Sequence, residues 1–403
     1  MNNKFDIIVV GGGLVGLAAA FKIQEKKPKK RILVLEKEED LALHQSGRNS
    51  GVLHSGLYYE PGSHRAQNCV IGRRELVEFA KQYNINHDVC GKLVVATNKQ
   101  ELDVLPTLLN RGIKNGLRNL QIIDKDAMKE IEPFVNGLSA IWIPETGIID
   151  YRSVAKQLAF LITQINNQSK ILTNTEVLDV KTYLEKSLVI TKSEHFECSN
   201  IVFCAGLFSD RLAKSDNINV NLKIVGFRGD YYTLTKEASH KVKNLIYPVP
   251  NPEFPFLGVH FTRMTNGEIE CGPNAVFTFK REGYKKMAFS LSDTLDSLSY
   301  LGTWRLFKNH WRFGLNELVK ASSKKVFLNH LRQLIPSLTM QDIVPGRSGV
   351  RAMALGKNGD IIDDFKIVVN DRNIHVLNAP SPAATACLSI GDTISQQFLK
   401  LIN

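Results

Sequence analysis

The sequence predicts an α/β protein in which a Rossmann-like domain with a mostly parallel sheet is interrupted by an α+β domain with a mainly antiparallel sheet. Residues 5–36 read as a strand, a glycine-rich turn, a helix and a second strand. Strand and helix patterns then alternate up to about residue 210, as they do in a parallel sheet with helical crossovers. Between about residues 222 and 272 short alternating strands and prolines replace this pattern, which returns near the C-terminus.

The N-terminal glycines form a dinucleotide-binding pattern. Gly11, Gly13 and Gly16 follow the apolar run Ile7–Val10 and fit G-x-G-x-x-G. The first glycine permits a tight turn, the second lets backbone amides approach a pyrophosphate, and the third lets the helix lie close to the strand. Glu36 lies twenty residues past Gly16, where an acid accepts hydrogen bonds from an adenosine ribose. This combination favours nucleotide binding over a glycine-rich turn that binds nothing.

Size, charge and cysteine spacing narrow the class of protein. The 403 residues exceed what one core usually supports, so we expect two domains. An excess of 51 Lys+Arg over 40 Asp+Glu gives a net charge of +11, which suits anionic substrates or anionic lipid surfaces. Without an RNP, helix-turn-helix or zinc-finger pattern, we expect no nucleic-acid binding. The six cysteines lack metal-site or disulfide spacing, so we expect no metal and a reduced, cytoplasmic compartment.

The remaining elements follow from local patterns and divide the chain. We predict helices at about 66–83, 101–110, 153–166, 289–335 and 383–401, and strands at 92–96, 170–180 (with a turn), 199–206, 231–235, 256–262, 268–272, 361–369 and 373–378, with turns at Pro248, Pro250, Pro252 and Pro255. The nucleotide-binding domain is then expected to comprise residues 1–88, 147–218 and 340–403. Residues 89–146 and 219–339 are expected to form the substrate domain.

The segment Gln45–Tyr59, taken with the dinucleotide motif, resembles the D-amino-acid-oxidase superfamily of flavoproteins. Together with five later segments it is similar to the L-2-hydroxyglutarate dehydrogenase/oxidase family: Tyr247–Pro250, Phe256–Arg263, Gly272–Ala275, Phe279–Tyr284 and Ala379–Thr385. The resemblance covers nearly the whole chain. It implies FAD rather than NAD, and oxidation of L-2-hydroxyglutarate to 2-oxoglutarate by hydride transfer to flavin N5. Arg48 departs from the family, in which a histidine is expected at this position.

The expected FAD contacts come from several segments. Small residues between 46 and 51 would let backbone approach a flat isoalloxazine, and Ala205-Gly206 ends a further buried strand. The resemblance implies that the final helix points its N-terminus at the flavin pyrimidine edge, where it stabilises the anionic reduced flavin. Cys387 is expected to pack rather than to attach flavin covalently. The expected contacts are Gly11, Gly13, Gly16, Glu36, Lys37, Ser46, Gly47, Asn49, Ser50, Gly51, Val177, Ala205, Gly206, Pro382, Ala383, Ala384 and Thr385.

The predicted catalytic residues are two histidines and three arginines. Removing a proton from a substrate hydroxyl needs a base whose pKa is near the working pH. His54 is the first choice for that base, and His260 on a predicted strand competes with it. A dicarboxylate needs cationic partners, preferably the arginine fork. Arg351 and Arg263 are preferred over Arg228, and the further donors proposed are Tyr59, Tyr247 and Lys280.

The predicted helical region 289–335 holds Trp304 and Trp311 beside many basic residues. Tryptophan together with basic residues on a helix is typical of a lipid interface, although such a helix also packs within its own domain. We therefore expect peripheral membrane contact through residues 300–335, with quinone or oxygen as the electron acceptor. The alternatives are a relative that oxidises glycerol 3-phosphate or an amino acid, and a flavin-binding partner protein without turnover.

Overall fold

A computed structural model describes residues 3–250 and 258–402. In chain order the strands are β1 Lys4–Val10, β2 Ile32–Leu35, β3 Val52–Leu53, β4 His87–Asp88, β5 Lys92–Ala96, β6 Gln121–Ile123, β7 Ser139–Ile143, β8 Gly147–Ile149, β9 Lys170–Leu172, β10 Val177–Thr182, β11 Ser187–Thr191, β12 His195–Phe203, β13 Lys223–Leu234, β14 Leu245–Pro248, β15 His260–Arg263, β16 Ile269–Gly272, β17 Val276–Phe277, β18 Ile343–Leu355, β19 Lys366–Asn370 and β20 Asn373–Asn378. The helices are α1 Leu14–Lys26, α2 His64–Gln82, α3 Lys99–Lys114, α4 Lys125–Ile131, α5 Tyr151–Ile165, α6 Ser209–Ser215, α7 Leu291–Leu298, α8 Leu301–Ser322, α9 Lys324–Leu334 and α10 Cys387–Ile402.

The first sheet has the order β10-β11-β12-β1-β2-β9, and β20 also pairs with β12. The strands at its centre, β1 with β12 and β2, are parallel, as are β2 with β9 and β12 with β20. Both faces of β1 are covered because Ile7 and Val9 pack against helices while Ile8 and Val10 pack toward β10–β12. The continuous apolar run is therefore explained by burial on two sides, and the predicted mostly parallel sheet is confirmed.

Four helices cover one face of this sheet. Helix α1 packs against α5 and α10, and α10 also packs against α2. Gly391 of α10 lies so close to α1 that an added Cβ would meet the backbone carbon of Ala18 at 2.6 Å. The C-terminal helix is thereby held against the helix that follows the glycine-rich turn.

The second sheet has the order β17-β13-β16-β15-β14-β5-β7-β6, with β18 paired along β13. Its pairs are antiparallel except for β14 with β5. Helix α9 contributes Phe327 and Leu331 to the core of this sheet. The expected mainly antiparallel substrate domain is confirmed.

Sheet membership bears on the domain boundaries. Strand β18 pairs with β13 from Lys223↔Leu355 to Leu234↔Ile343, although we expected residues 340–403 in the nucleotide-binding domain. We propose the expected division with this change: residues 343–355 belong to the substrate domain. A small third sheet, β3-β8-β4, is formed by segments in which the chain passes between the two domains.

Several predicted elements differ from the structure. The region 289–335 contains three helices rather than one, and α8 is kinked at His310, where φ is −124° and ψ is 25°. Residues 362–365 precede β19 instead of extending it, and α10 begins at Cys387 rather than Ala383 because turn hydrogen bonds to the carbonyls of Pro380 and Pro382 come first. The predicted strand 256–262 is observed as His260–Arg263, and Phe256, Pro252 and Pro255 lie outside the described residues.

Candidate active site

A cavity of about 1550 Å³ runs from the carboxyl ends of β1 and β2 to the second sheet. Gly11, Gly13 and Glu36 line one end, and His54, His260 and Arg351 line the other. Ligands of open α/β sheets bind outside the carboxyl ends of the strands. The position and size of the cavity therefore fit a large nucleotide beside a small second ligand.

The turn formed by Gly11, Gly13 and Gly16, which we call the glycine cradle, leaves no room for side chains. Gly11 has φ +115°, and an added Cβ would meet the carbonyl oxygen of Cys204 at 2.4 Å. A Cβ on Gly16 would meet the carbonyl oxygen of Gly11 at 2.1 Å. Gly13 is the N-cap of α1 without a side-chain cap, and Ser46 Oγ accepts a hydrogen bond from Leu14 N at 3.0 Å. The helix N-terminus beside the cavity fits a pyrophosphate.

Glu36 directly follows β2 and is 8% exposed. Its Oε2 accepts from Gly12 N at 2.7 Å and its Oε1 from Glu38 N at 3.0 Å. These bonds hold the carboxylate at the cavity wall, where its remaining acceptor sites fit a ribose hydroxyl. The predicted position of this acid at the second strand agrees with the structure.

Most of the predicted FAD contacts lie together along one cavity, but three do not reach it. Gly47 packs against Ala42, where an added Cβ would lie 2.2 Å from the carbonyl oxygen. Gly51 and Thr385 lie behind the wall. The predicted residues that line the cavity are Gly11, Gly13, Gly16, Glu36, Lys37, Ser46, Asn49, Ser50, Val177, Ala205, Gly206, Pro382, Ala383 and Ala384.

Thr385 is fully buried and holds the strand that carries His54. Its Oγ1 accepts a hydrogen bond from the backbone N of His54 at 3.1 Å. Thr385 Oγ1 also lies 2.8 Å from Tyr151 Oη, which donates to the Val52 carbonyl at 2.8 Å. The C-terminal segment thus positions His54 rather than contacting the ligand through Thr385 itself.

The His54 imidazole faces the cavity from just beyond β3. Burial, together with the positive charges of Lys92 and Arg351, lowers the pKa of His54 from 6.5 to about 3. The ring is therefore neutral at pH 7 and has a lone pair that can accept a proton. An anionic ligand placed among these charges would raise that pKa.

His260, at the start of β15, also faces the cavity. Its Nδ1 lies 2.8 Å from the carbonyl oxygen of Gly258, so Nδ1 carries the proton in the neutral ring and Nε2 is an acceptor. The ring stacks on Tyr247 with centroids 4.0 Å apart. Burial is the main cause that lowers the pKa of His260 to about 4. Both predicted histidines are brought together at the same end of the cavity.

Lys92 is a residue that the sequence reasoning missed. It begins β5 and is 1% exposed, with Nζ 4.8 Å from the centroid of the Tyr58 ring and 4.7 Å from that of Tyr247. Burial lowers its pKa from 10.5 to about 7. The one signal in the sequence is a lysine next to the apolar run Leu93–Ala96, which is a weak signal because strand ends are commonly charged.

The structure separates the three predicted arginines. Arg351 of β18 lines the cavity, and burial lowers its pKa. Its side chain is solvent-accessible although protein surrounds it densely, because it faces the cavity. Arg263 pairs with Asp88 away from the cavity, and Arg228 is bound to Asp230 at 2.9 Å and to the Lys285 carbonyl. Of the three, Arg351 alone is placed for a ligand in this cavity.

Other polar groups at this end were only partly foreseen. Tyr59 and Tyr247 line the cavity as suggested, whereas Lys280 does not. Arg65 was missed: it lines the cavity, lies over the Tyr59 ring at 4.5 Å and donates to the Ser381 carbonyl at 2.6 Å. Tyr58 also lines the cavity, and its buried hydroxyl has no hydrogen-bond partner among the described residues.

Two further residues are placed by their surroundings. Arg48 lies over the Tyr284 ring at 4.0 Å, and its Nε donates to the Leu43 carbonyl at 3.0 Å, so it bridges the two domains at the cavity wall. Cys387 is fully buried in the core of the first domain and does not line the cavity. Its packing role was expected, and its position offers no route to a bound flavin.

A glycine cradle, a helix N-terminus and a buried acid at the carboxyl ends of parallel strands define a dinucleotide-binding protein. Residues 6–397 match the family described as DAO, FAD dependent oxidoreductase. The chain belongs to this family of enzymes, and FAD is its cofactor. The cradle described above fits the FAD pyrophosphate and ribose.

Similar proteins are found by sequence and by structure. An L-2-hydroxyglutarate dehydrogenase of Indibacter alkaliphilus is 46% identical, covering 98% of this chain and 99% of that protein. The Escherichia coli K12 enzyme of the same name is 40% identical, covering 99% of this chain and 94% of that protein. The dithionite-reduced, FAD-bound L-alpha-glycerophosphate oxidase of Mycoplasma pneumoniae superposes with a TM-score of 0.79 at 23% identity, covering 98% of this chain and 95% of that chain. The last likeness shows the fold alone.

Proposed function

We propose that this enzyme oxidises L-2-hydroxyglutarate to 2-oxoglutarate. The observation that carries the proposal is one cavity end lined by two neutral imidazoles and a guanidinium, those of His54, His260 and Arg351. The buried Lys92 lies behind this end, against the Tyr58 and Tyr247 rings. A hydroxy dicarboxylate needs a base at its hydroxyl and cations at its carboxylates. The names of the similar proteins at 40–46% identity support the same substrate.

His54 takes the hydroxyl proton in this proposal. Its backbone is tied to Thr385, so the ring is held at a defined place in the wall. Its lowered pKa leaves the ring unprotonated before substrate enters. The bound carboxylates offset the charges of Lys92 and Arg351, which raises the basicity of the imidazole when the proton must move. His260, already oriented by Gly258, offers only an acceptor at Nε2 and therefore competes with His54 for the same hydroxyl proton. Its assigned role is to pack on Tyr247 in the cavity wall.

Arg351, which lines the cavity, binds one substrate carboxylate. Arginine presents two parallel N–H groups to a carboxylate, and in a cavity of low polarity such a pair is stronger than in water. Lys92 adds positive charge behind Tyr58 and Tyr247. FAD, when bound, supplies the two-electron redox chemistry by accepting the hydride from C2 of the substrate.

A membrane quinone is the proposed electron acceptor, rather than oxygen. The α7–α9 face, which comprises the outward side chains of residues 287–325, is apolar and basic together. Trp304 and Trp311 are 55% and 56% exposed. The other exposed apolar residues are Met287, Phe289, Leu291, Leu295, Leu301, Leu315, Leu318 and Val319. The exposed basic residues are Arg305, Lys308, Arg312 and Lys325.

Such a face suits attachment to the inner surface of the cell membrane, where anionic lipids attract lysine and arginine. No helix among the described residues is long and apolar enough to cross a bilayer. The proposal is therefore peripheral contact, with the apolar side chains inserted at the headgroup level.

Anaerobic bleaching of the FAD absorbance tests the substrate. L-2-hydroxyglutarate is expected to reduce the flavin at micromolar to millimolar concentration, whereas D-2-hydroxyglutarate, glycerol 3-phosphate and amino acids leave it oxidised. Bleaching by glycerol 3-phosphate or an amino acid, but not by L-2-hydroxyglutarate, would refute the proposal. Arg263→Met serves as the matched control for Arg351→Met, because Arg263 pairs with Asp88 outside the cavity.

A further inference from the structure

A second cavity, of about 870 Å³, lies between α8 and the strands β13 and β17. We call it the apolar cavity. Its wall is mostly aromatic and aliphatic, including Phe277, Phe307, Trp311, Phe313, Leu318 and Met353. The charged residues that line it within the described chain are already bound: Arg228 to Asp230, and Lys286 to the Ala321 carbonyl at 2.8 Å. A wall of this kind suits a neutral, largely apolar ligand.

The apolar cavity shares part of its wall with the active-site cavity. Phe227, Ala275, His310 and Ile361 line both. His310 is also the residue at which α8 departs from helical geometry. Kinks in long helices have local causes and often mark functional sites. Here the kink places an imidazole at the partition between the two spaces.

The apolar cavity opens on the α7–α9 face. Met287, which lines it, is 93% exposed, and Trp311 is 56% exposed. Leu315 and Leu318 line it as well and are about half exposed. The same side chains therefore form the cavity mouth and part of the proposed membrane-contacting surface. A lipid-dissolved molecule could enter without crossing water.

We propose that the apolar cavity binds the ring of an isoprenoid quinone, with His310 hydrogen-bonding a ring carbonyl at the partition. This inference rests on the proposed function, because it assigns a place to its electron acceptor. The exchange balances: the hydroxy acid loses two electrons and two protons on becoming the oxo acid, and the quinone gains two electrons and two protons on becoming the quinol. The isoprenoid tail extends through the mouth of the apolar cavity into the bilayer.

Tryptophan fluorescence of the FAD-loaded enzyme tests the site without any hydroxy acid. Trp142 on β7, the one tryptophan outside α8, is first replaced by phenylalanine, so that emission comes from Trp304 and Trp311. The probe is a benzoquinone with a decyl side chain. Saturable quenching is expected, because Trp311 lines the cavity.

Filling the cavity should remove this quenching. An added Cβ at Gly314 meets nothing within 4 Å, so Gly314→Leu enters open space. We expect it to raise the quinone dissociation constant at least tenfold, and Ala321→Leu, on the same wall, to do so as well. Asn316→Leu is the matched control, since it adds the same bulk to α8 at an exposed position that does not line the cavity.

Two outcomes would overturn the site. One is no saturable quenching in the parent protein; the other is equal quenching in Gly314→Leu, Ala321→Leu and Asn316→Leu. Retained FAD absorbance shows that each variant is folded. Because no substrate is present, quenching that follows the expected pattern stands even if L-2-hydroxyglutarate fails to bleach the flavin. Conversely, bleaching by L-2-hydroxyglutarate with no quinone binding would remove this site and leave the proposed oxidation intact.

Discussion

The two ends of the active-site cavity are built in different ways. At the nucleotide end, backbone atoms and small residues form the cavity wall. Three of these residues, Gly11, Gly13 and Ser46, lie within about forty residues of one another in the sequence. At the substrate end, side chains meet from β14, β15, β18 and the segment after β3. A backbone cradle has no room for added atoms, whereas the properties of an assembly of side chains depend on burial and charge. We therefore expect substitutions in the cradle to abolish FAD binding, and substitutions at the substrate end to reduce the rate of flavin reduction by differing amounts.

Gly16→Leu should give the largest effect. Its Cβ would lie 2.1 Å from the Gly11 carbonyl oxygen and 3.2 Å from Cys204 Cβ, so the turn cannot keep its shape. We expect colourless protein with no bound FAD, measured by absorbance after incubation with free cofactor. Gly62→Ala is the matched control: that glycine has φ +87° but open space, so the strain costs about 1 kcal/mol and FAD is retained. A yellow Gly16→Leu protein would contradict the cradle.

His54→Asn should slow flavin reduction by about 10²–10⁴-fold, the usual contribution of a positioned base. His260→Asn should slow it by about tenfold, because its assigned role is packing on Tyr247 in the cavity wall rather than proton removal. Anaerobic stopped-flow with saturating substrate compares the two. If His260→Asn is the slower enzyme, the roles of the two histidines are exchanged. FAD content and melting temperature of each variant exclude a simple loss of fold.

Arg351→Met should weaken L-2-hydroxyglutarate reduction of the flavin by about 10²-fold in second-order rate constant, since a charge-assisted pair in a buried site is worth about 2–4 kcal/mol. Arg263→Met should change that constant less than threefold, because its guanidinium is bound to Asp88 outside the cavity. Equal losses in the two variants would show that Arg351 acts only through the fold.

Lys92→Met tests how the buried Lys92 charge affects the pH dependence of stability. Because burial lowers the pKa of Lys92 from 10.5 to about 7, the unfolded chain binds more protons between these values, and the free energy of unfolding rises with pH across that window. The variant should lose this slope and be more stable at pH 7 by about 2–4 kcal/mol. Urea unfolding at pH 7 and pH 10 measures the difference, and an unchanged slope would contradict it.

Lys92→Met should also change the pH dependence of flavin reduction. Lys92 is the charge that most lowers the pKa of His54 after burial itself, so its removal should shift the acid limb of flavin reduction to higher pH. The pH profile of the reduction rate at saturating substrate measures this shift. A profile identical to that of the parent enzyme would place Lys92 outside the electrostatic environment of the base.

The smallest effect is expected at the surface. Trp304→Ser with Trp311→Ser should lower sedimentation with anionic vesicles about tenfold, because both side chains are more than half exposed on the α7–α9 face. Phe160→Ser with Leu184→Ser is the control, since these exposed apolar residues lie on the first domain, on α5 and beside β10. Equal binding by the two double variants would remove this face as the membrane contact.

The difference between the two ends also explains what the sequence could predict. The glycine turn, Glu36 and His54 stand in one continuous segment whose spacing encodes its geometry, and they line one cavity. Arg351, Lys92 and Arg65 come together only through β18, β5 and α2, so their meeting depends on tertiary structure. Arg263 was a reasonable prediction at a strand end, but Asp88 on a neighbouring sheet binds it.

Helix prediction shows the same division. The amphipathic pattern of 289–335 indicated helix correctly, but the division into three helices and the kink at His310 are not marked in that pattern. The last helix was predicted to begin at Ala383, but it begins at Cys387 because hydrogen-bonded turns at Pro380 and Pro382 precede it. Local periodicity predicts the kind of element, while its ends depend on neighbours that are distant in sequence.

The contact between Thr385 and the His54 backbone imposes an order on biosynthesis. The residue that anchors His54 leaves the ribosome more than three hundred residues after it, and α10 must then dock on α1 before the first domain is closed. A nascent chain can form β1, α1 and β2 early, yet it cannot finish the pocket. The substrate pocket is therefore completed only after translation, and chains that terminate before Thr385 should lack a fixed His54.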